Sequence, residues 1–199
     1  FPWTGPSRFW QLHLTIPGKY DAMGVGLAGT PLPTLGFNKD IAWTHTVTAA
    51  RHFTLHQLAL DPADPTRYLV DGKSEAMSKR TVTVPLPGGG SETRTLYATR
   101  FGPVVSAGGN GLVWNNATAF ALKDANLGNP RALETWMRIG KAKSVGEVEA
   151  AVSETLGIPW VNTIVADRHG DALHADVTAV PNVSAVLIAE CKTPISGLF

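Results

Sequence analysis

Strand signals fill the first part of this sequence, and helix signals are confined to its final third. From residue 11 to about residue 60, apolar and polar residues alternate between turns that contain proline and glycine. Asn129 and Pro130 are typical of a helix start, and Gly140 is expected to end that helix. Long strands, then a helical pair, then more strands indicate a mixed α+β fold rather than alternating βαβ units.

The second helix has clear boundary signals. Ser144 and Glu147 have the spacing of a capping box, and Gly157 is expected to stop the helix. Residues 61–65 combine aspartate and proline, which favours a turn between two strands. The strand pattern predicts strands over residues 41–48, 53–60, 68–70, 81–86, 93–98, 160–167 and 172–177.

The turn and strand at residues 36–47 stand out from the rest. Asn38 and Asp40 suit a tight turn, because their short side chains tolerate left-handed backbone and form local hydrogen bonds. β-branched and aromatic residues then fill residues 41–47, which predicts a strand. On this pattern alone an ordinary core hairpin accounts for the run, since alternating strands occur in many folds.

Charge and composition exclude several classes of function. The 17 basic and 16 acidic residues give a net charge of +1 without a long run of one sign, so nucleic acid is not an expected partner. No apolar stretch is long enough for a membrane helix, so no membrane partner is expected. The single cysteine, Cys191, cannot form an internal disulfide and belongs to no Cys/His cluster.

The residues themselves supply neither a metal site nor a conventional hydrolase triad. His52 and His56 are four apart in strand-like sequence, but a third ligand and a general base are not indicated, so no metal or other cofactor is expected. The sequence has no Gly-x-Ser-x-Gly run, the nucleophile elbow of the α/β-hydrolases. Neither Ser7 nor Ser153 has a recognisable base nearby in the sequence.

Several aromatic and polar motifs, taken in order, resemble those of the penicillin acylase family of N-terminal nucleophile hydrolases, particularly its acyl-homoserine lactone and lipopeptide acylase branch. The resemblance extends from Phe1 to the region of Pro181. It implies an α+β chain that forms part of a four-layer αββα sandwich. Because both ends are apolar, residues 1–199 are interpreted as a single incomplete portion of the large (β) chain, truncated at both ends. The matching motifs are FPW at 1–3, FW at 9–10, AWTHTV at 42–47, VWN at 113–115, LKDAN at 122–126 and GIPWVNT at 157–163.

The resemblance also implies a mechanism. Family members are made as a precursor that cleaves itself and exposes a serine, whose own α-amino group serves as base; such a group titrates near neutral pH. That serine, often preceded by a histidine, would lie before Phe1, and an oxyanion asparagine would lie beyond Phe199. Val47 matches the catalytic position whose backbone N–H is the other oxyanion donor. The 199 residues alone are therefore expected to be inactive.

An acyl pocket is implied by the same resemblance. Apolar walls suit an acyl chain, since burying each methylene contributes about 0.8 kcal/mol. Thr30 and Thr34 match neighbouring positions at which relatives differ, so the preferred chain length is open. The substrate-binding positions are Phe1, which corresponds to an aromatic gate, and Phe9, Leu27, Trp114, Trp160 and Val161.

The leading hypothesis is that the intact protein removes the acyl chain from an acyl-homoserine lactone, a cyclic lipopeptide or an aliphatic penicillin through an acyl-enzyme. The expected partners are the N-acylated substrate and the small (α) chain of the same precursor, in a heterodimer. Relatives are exported, so a periplasmic or extracellular location is expected. Two alternatives stay open: a non-catalytic extracellular β-rich ligand-binding module, and a different serine hydrolase that uses an internal serine.

Overall fold

The computed structural model describes residues 2–192. The chain divides into two compact units, one within Phe1–Ala50 and Gly128–Val180 and the other within Arg51–Leu127 and Pro181–Phe199. Strands dominate both units, and the longer helices lie in the first, so the predicted α+β class is confirmed. That residues 1–199 form a single incomplete portion of one domain stays a prediction. In residues 2–192, no helix is long and apolar enough to cross a membrane.

The first unit contains a six-stranded antiparallel sheet in the order β1-β2-β3-β4-β12-β13. Strand β4 covers the predicted strand that follows the Asn38 turn, and it lies between β3 and β12 in the sheet. The strands are β1 (Trp10–Ile16), β2 (Tyr20–Gly26), β3 (Leu35–Phe37), β4 (Ile41–Val47), β12 (Val161–Asp167) and β13 (Ala172–Ala175).

Two helices, α1 (Ala132–Lys141) and α2 (Val145–Thr155), complete the core of this unit. The predicted cap of α2 is confirmed, since the Ser144 hydroxyl accepts a hydrogen bond from the Glu147 N–H at 3.3 Å. The core is formed by buried side chains of both helices, the sheet and the segment between α2 and β12: Trp43, Ile139, Val148, Val152, Ile158 and Val165.

The predicted boundaries of α1 were wrong at both ends. The helix begins at Ala132, and Asn129 lies before it, with its carbonyl oxygen accepting from Arg131 N and its amide donating to Leu156 O. Gly140 lies inside the helix instead of ending it. A Cβ at this position would lie 2.2 Å from Tyr20 Oη. Gly140 is therefore required for close packing and not for a left-handed helix end.

The end of α2 differs from the prediction for a similar reason. Leu156, with φ of 49°, is the left-handed residue that follows the helix, so Gly157 is not its cap. A Cβ on Gly157 would lie 2.2 Å from Thr135 Oγ1 and 2.5 Å from Arg131 O. The glycine thus allows the chain after α2 to pack against α1.

The second unit contains a seven-stranded antiparallel sheet in the order β7-β6-β5-β11-β10-β9-β8. Three of its strands, β7, β10 and β11, were not predicted, and the turn predicted over residues 61–65 is shorter because Pro65 lies within β6. A short helix, α3 (Ala185–Glu190), follows later in the chain. The strands are β5 (Phe53–Asp61), β6 (Asp64–Val70), β7 (Lys73–Ala76), β8 (Ser78–Pro85), β9 (Ser91–Thr99), β10 (Gly102–Val105) and β11 (Thr118–Asp124).

Candidate functional site

The turn before β4 is fixed by Asn38. Its side-chain oxygen accepts hydrogen bonds from Asp40 N at 2.8 Å and Ile41 N at 2.9 Å, which is the local bonding that the sequence predicts. Its amide nitrogen donates to the carbonyls of Gly140 and Ala142, at 3.1 and 2.9 Å. One side chain therefore shapes the turn and satisfies carbonyl groups at the end of α1.

Trp43 and His45 lie on the same face of β4, two residues apart, and both anchor the strand through side-chain hydrogen bonds. Trp43 is buried, and its indole N–H donates to Thr34 O at 2.9 Å. His45 Nδ1 lies 3.1 Å from Asn162 O, and His45 Nε2 accepts a hydrogen bond from Trp136 Nε1 at 3.0 Å. Burial lowers the pKa of His45, although its backbone hydrogen bonds oppose this shift. A neutral imidazole that donates from Nδ1 fits both contacts, so His45 supports the strand.

Val47 is the last residue of β4, and its side chain is 78% exposed. Thr48 N donates to Trp160 O, so Thr48 and Trp160 form a hydrogen-bonded pair in the antiparallel register. Such pairs alternate, which makes Val47 and Val161 a non-hydrogen-bonded pair. The N–H of Val47 therefore points away from β12.

On the opposite side of β4, strand β3 does not extend as far as Val47. Its register pairs Gly36 with Trp43 and Phe37 with Ala42. Within residues 2–192, the N–H of Val47 thus points away from β12 and lies beyond the end of β3. A backbone donor in this position can face a ligand without breaking a sheet hydrogen bond.

Thr48, directly after Val47, is held by three hydrogen bonds. Its N–H donates to Trp160 O at 3.2 Å, its hydroxyl donates to Asp176 Oδ2 at 2.6 Å, and the same hydroxyl oxygen accepts from Ala50 N at 3.0 Å. The residue is buried, whereas Asp176 is exposed. The end of β4 is therefore rigidly connected to the chain that follows β13.

Trp160 and Val161 lie beside Val47 at the start of β12. Trp160 has a φ of 54°, an uncommon conformation for a residue with a large side chain, and it is 41% exposed. Val161 lies opposite Val47 and packs partly against the core of this unit. The structure thus brings two predicted pocket residues next to the predicted oxyanion donor.

Phe9 and Leu27 lie at the same end of the sheet. Trp10 pairs with Gly26, so Phe9 and Leu27 lie opposite each other, one position beyond the last pair of the β1–β2 hairpin. The registers of β2, β3 and β4 place the C-terminal ends of β2 and β4 at the same end of the sheet. Four of the predicted pocket positions therefore share one sheet end with Val47; these are Phe9, Leu27, Trp160 and Val161.

Comparison with known proteins identifies the family. The family model described as Penicillin amidase matches residues 1–197. This chain belongs to the penicillin amidase family.

Curated relatives of this penicillin amidase chain match it nearly end to end. Acyl-homoserine lactone acylase PvdQ of Pseudomonas fluorescens is 47% identical over 202 residues, covering 100% of this chain and 26% of the relative. Aculeacin-A acylase of Actinoplanes utahensis is 47% identical over 200 residues, covering 100% of this chain and 25% of the relative. The chain thus spans roughly a quarter of the length of these relatives.

A solved structure shows the same fold. The thermostable penicillin G acylase from Alcaligenes faecalis superimposes with a TM-score of 0.75 at 22% identity, over 94% of this chain and 32% of that one. At this level of identity the likeness shows the fold alone. It confirms that this penicillin amidase chain is part of an N-terminal nucleophile hydrolase fold.

Trp114 lies in the second unit of the penicillin amidase chain. Its indole N–H donates to Pro65 O at 3.2 Å, and its ring packs edge-to-face on Tyr97 with the centroids 4.9 Å apart. These contacts fix the ring orientation, and the pocket role of Trp114 stays a prediction. Phe1, the predicted aromatic gate, lies outside the described residues.

The predicted specificity position Thr34 is buried, and both its N–H and its hydroxyl donate to Val25 O, at 2.9 and 3.2 Å. Its side chain therefore shapes the loop between β2 and β3.

His56 stacks on Phe101 with ring centroids 4.6 Å apart, and burial lowers its pKa. Among residues 2–192, no three His, Cys, Asp or Glu side chains are grouped as metal ligands would be.

The sequence did not predict three residues that surround Val47 in this penicillin amidase chain. Thr48 contacts Asp176, which is 128 positions away, and Asn162 donates from its side chain to Thr46 Oγ1 at 3.3 Å. Both contacts depend on the register between β4 and β12, which no local motif specifies. A threonine immediately after the predicted donor was the one local signal available.

Proposed function

We propose that the full-length protein containing this chain is a serine N-terminal nucleophile amidohydrolase that removes the acyl group from N-acyl compounds through an acyl-enzyme. The substrate class is an acyl-homoserine lactone, a cyclic lipopeptide or an aliphatic penicillin. The observation that carries the proposal is that the Val47 N–H points away from β12 and lies beyond the end of β3, next to the apolar residues Trp160 and Val161. Relatives named as acyl-homoserine lactone acylase and aculeacin-A acylase support the acyl-amide class.

The reaction begins when the serine hydroxyl attacks the amide carbonyl and transfers its proton to the serine's own α-amino group. The carbonyl oxygen becomes an oxyanion, which accepts a hydrogen bond from the N–H of Val47. One such donor can contribute about 3 kcal/mol to transition-state stabilisation. The C–N bond then breaks, the amine departs with the proton, and water hydrolyses the acyl-enzyme to release the fatty acid.

The apolar residues at the sheet end have a separate role in this proposal. Phe9, Leu27, Trp160 and Val161 would contact the acyl chain, and Phe1 and Trp114 stay substrate-binding positions proposed from the family resemblance. Each methylene that they remove from water contributes about 0.8 kcal/mol. Binding energy from the acyl chain would thereby place the amide carbonyl against the oxyanion donor.

We further propose that the nucleophilic serine lies before Phe1, that an asparagine beyond Phe199 supplies the second oxyanion donor, and that the precursor cleaves itself. The large chain would then pair with the small chain of the same precursor, in the periplasm or outside the cell. Membership of the penicillin amidase family supports this arrangement. Mass spectrometry of the purified protein would test it, since two chains with an N-terminal serine on the larger one are expected.

The function is tested by incubating the purified full-length protein with acyl-homoserine lactones of increasing chain length, a cyclic lipopeptide and an aliphatic penicillin. Liquid chromatography with mass spectrometry should detect a free carboxylic acid together with the free amine. Ring-opened N-acyl-homoserine that forms faster than in an enzyme-free control, without free carboxylic acid, would contradict the proposal, because it indicates catalysed lactone hydrolysis. Absence of turnover across the panel would also contradict it and would favour a ligand-binding module.

A further inference from the structure

The peptide units on both sides of Val47 are held by polar side chains. Before it, Thr46 lies opposite Asn162 in a hydrogen-bonded pair, and the Asn162 amide also donates to Thr46 Oγ1 at 3.3 Å. After it, Thr48 is bound to Trp160 and Asp176. Val47 itself makes no side-chain hydrogen bond, and its side chain is 78% exposed. The direction of its N–H is therefore set by its two neighbours.

The hydrogen bond from Thr48 to Asp176 is the strongest candidate for fixing that direction. Its donor–acceptor distance is 2.6 Å, typical of a charge-assisted hydrogen bond to a carboxylate. It joins the end of β4 to the segment after β13, whereas β12 lies between these two strands in the sheet. This bond therefore spans three adjacent strands at the end where the Val47 N–H projects.

The Thr48 hydroxyl also organises the turn that follows. Its oxygen accepts from Ala50 N at 3.0 Å, a local contact common where Thr ends an extended segment. One hydroxyl thus donates to Asp176 and accepts from the backbone two residues later. Loss of the hydroxyl would release the turn and the contact to the β13 segment together.

We propose that Thr48 and Asp176 are positioning residues that hold the N–H of Val47 in the orientation needed by an oxyanion. The inference rests on the proposed function, because it assigns the pair to the same oxyanion site. Neither side chain contacts substrate in this account, and both act through the backbone at Val47. Displacement of a catalytic group by about 1 Å can lower a rate by about 100-fold, so a modest change in this strand end would be measurable.

The test uses the full-length protein with Thr48→Val, which keeps the shape of the side chain and removes the hydroxyl. Asp176 is exposed, so water can solvate its carboxylate in this variant and the fold should persist. We expect kcat to fall by about 10- to 100-fold while KM changes by less than about threefold. Thr48→Ser restores the hydroxyl and should recover most of kcat. Asp176→Ala keeps the contact of the Thr48 hydroxyl with Ala50 N, so it should lower kcat by as much as Thr48→Val or less, and the double variant should be no slower than Thr48→Val.

A second readout separates positioning from a general loss of structure. An alkylboronic acid forms a tetrahedral adduct with a nucleophilic serine, so its oxygen would occupy the oxyanion site. A fatty acid product forms no such adduct, and its affinity comes mainly from the acyl pocket. Thr48→Val should weaken boronate inhibition by about the same factor as kcat and leave inhibition by the fatty acid unchanged. Thr44→Val, the same change on an exposed position of β4, should leave kcat, KM and both inhibition constants unchanged.

The outcomes distinguish this inference from the proposed function. If the wild-type protein hydrolyses N-acyl substrates and Thr48→Val keeps its kcat within about twofold, the positioning role is wrong while the function stands. Additive losses in the double variant, or equal losses of boronate and fatty acid binding, would likewise overturn it. If the wild-type protein hydrolyses none of the substrates, both the function and this inference fail.

Discussion

Gly140→Ala and Gly146→Ala are the same substitution in neighbouring helices, and we expect them to change stability in opposite directions. At Gly140 the new methyl group would lie 2.2 Å from Tyr20 Oη and 2.7 Å from two ring carbons of Tyr20. Ordinary contacts between heavy atoms are about 3.5–4.0 Å, so the ring or the helix must move by more than about 1 Å. At Gly146 nothing lies within 4 Å of the new methyl group.

The two magnitudes follow from these contacts. Overpacking a buried site costs about 1–3 kcal/mol, and Tyr20, at 4% exposure, belongs to the core and cannot turn into solvent. Contacts of 2.2 and 2.7 Å place this site at the upper end of that range, about 2–3 kcal/mol. The better helix propensity of alanine returns at most about 1 kcal/mol, so Gly140→Ala should lower the free energy of unfolding by about 1–2 kcal/mol. Gly146→Ala has the gain in helix propensity without the steric cost, so it should raise the free energy of unfolding by about 0.5–1 kcal/mol.

Urea unfolding of the full-length protein, followed by tryptophan fluorescence, measures both changes. Adding Tyr20→Phe to Gly140→Ala removes the closest contact and should recover part of the loss, whereas the ring carbons at 2.7 Å keep it from being complete. A Gly140→Ala protein as stable as Gly146→Ala would refute the packing of α1 against β2 described here.

Three further predictions concern the neighbourhood of the site. Burial lowers the pKa of His45 in the folded protein, so below a pH of about 6.5 the unfolded chain binds a proton at this imidazole more readily than the folded protein does. The free energy of unfolding should therefore fall as the pH is lowered from about 6.5, by up to about 1.4 kcal/mol per pH unit. His45→Gln should remove this pH dependence, which unfolding series at several pH values would measure. Ser144→Ala should cost about 1 kcal/mol in urea unfolding, since it removes the cap of α2, whereas Ser144→Asp should not. Trp160→Gly deletes the indole, and glycine can still adopt the φ of 54° found at this position. The ratio of kcat/KM for the longest acyl chain to that for the shortest should fall by about tenfold or more. An unchanged dependence of kcat/KM on chain length would show that Trp160 does not line the acyl pocket.

Local signals predicted those parts of the fold that local chemistry determines. Ser144 caps α2 and Asn38 shapes its turn, because in both cases the bonded groups are within three residues. Gly140 and Gly157 were misread as helix ends, because glycine also serves where another chain approaches closely, and a sequence does not separate these uses. Strand β11 was missed although it is central in its sheet, since its alanines have low strand propensity and are buried by tertiary contacts.

The candidate site could be predicted only as far as ordered motifs extend. Those motifs supplied Val47, Trp160 and Val161 by resemblance, and the register of β4 with β12 then brought them together. Contacts such as Thr48 to Asp176 join positions 128 residues apart, so they appear only once the sheet is assembled. The partly buried environment of His45 likewise could not be predicted from the sequence, because it comes from Trp136 and Asn162 on other elements.

Comparing kcat for Val47→Pro and Val47→Ala in the processed full-length protein tests whether the backbone N–H of Val47 stabilises an oxyanion. Proline removes the N–H, and since that group points away from β12 and lies beyond the end of β3, the substitution breaks no hydrogen bond to either strand. Alanine keeps the N–H and removes only an exposed side chain. We expect the kcat of Val47→Ala to stay within about threefold of wild type, whereas Val47→Pro should lose about 100-fold or more in kcat. A folded Val47→Pro protein with the kcat of Val47→Ala would contradict it.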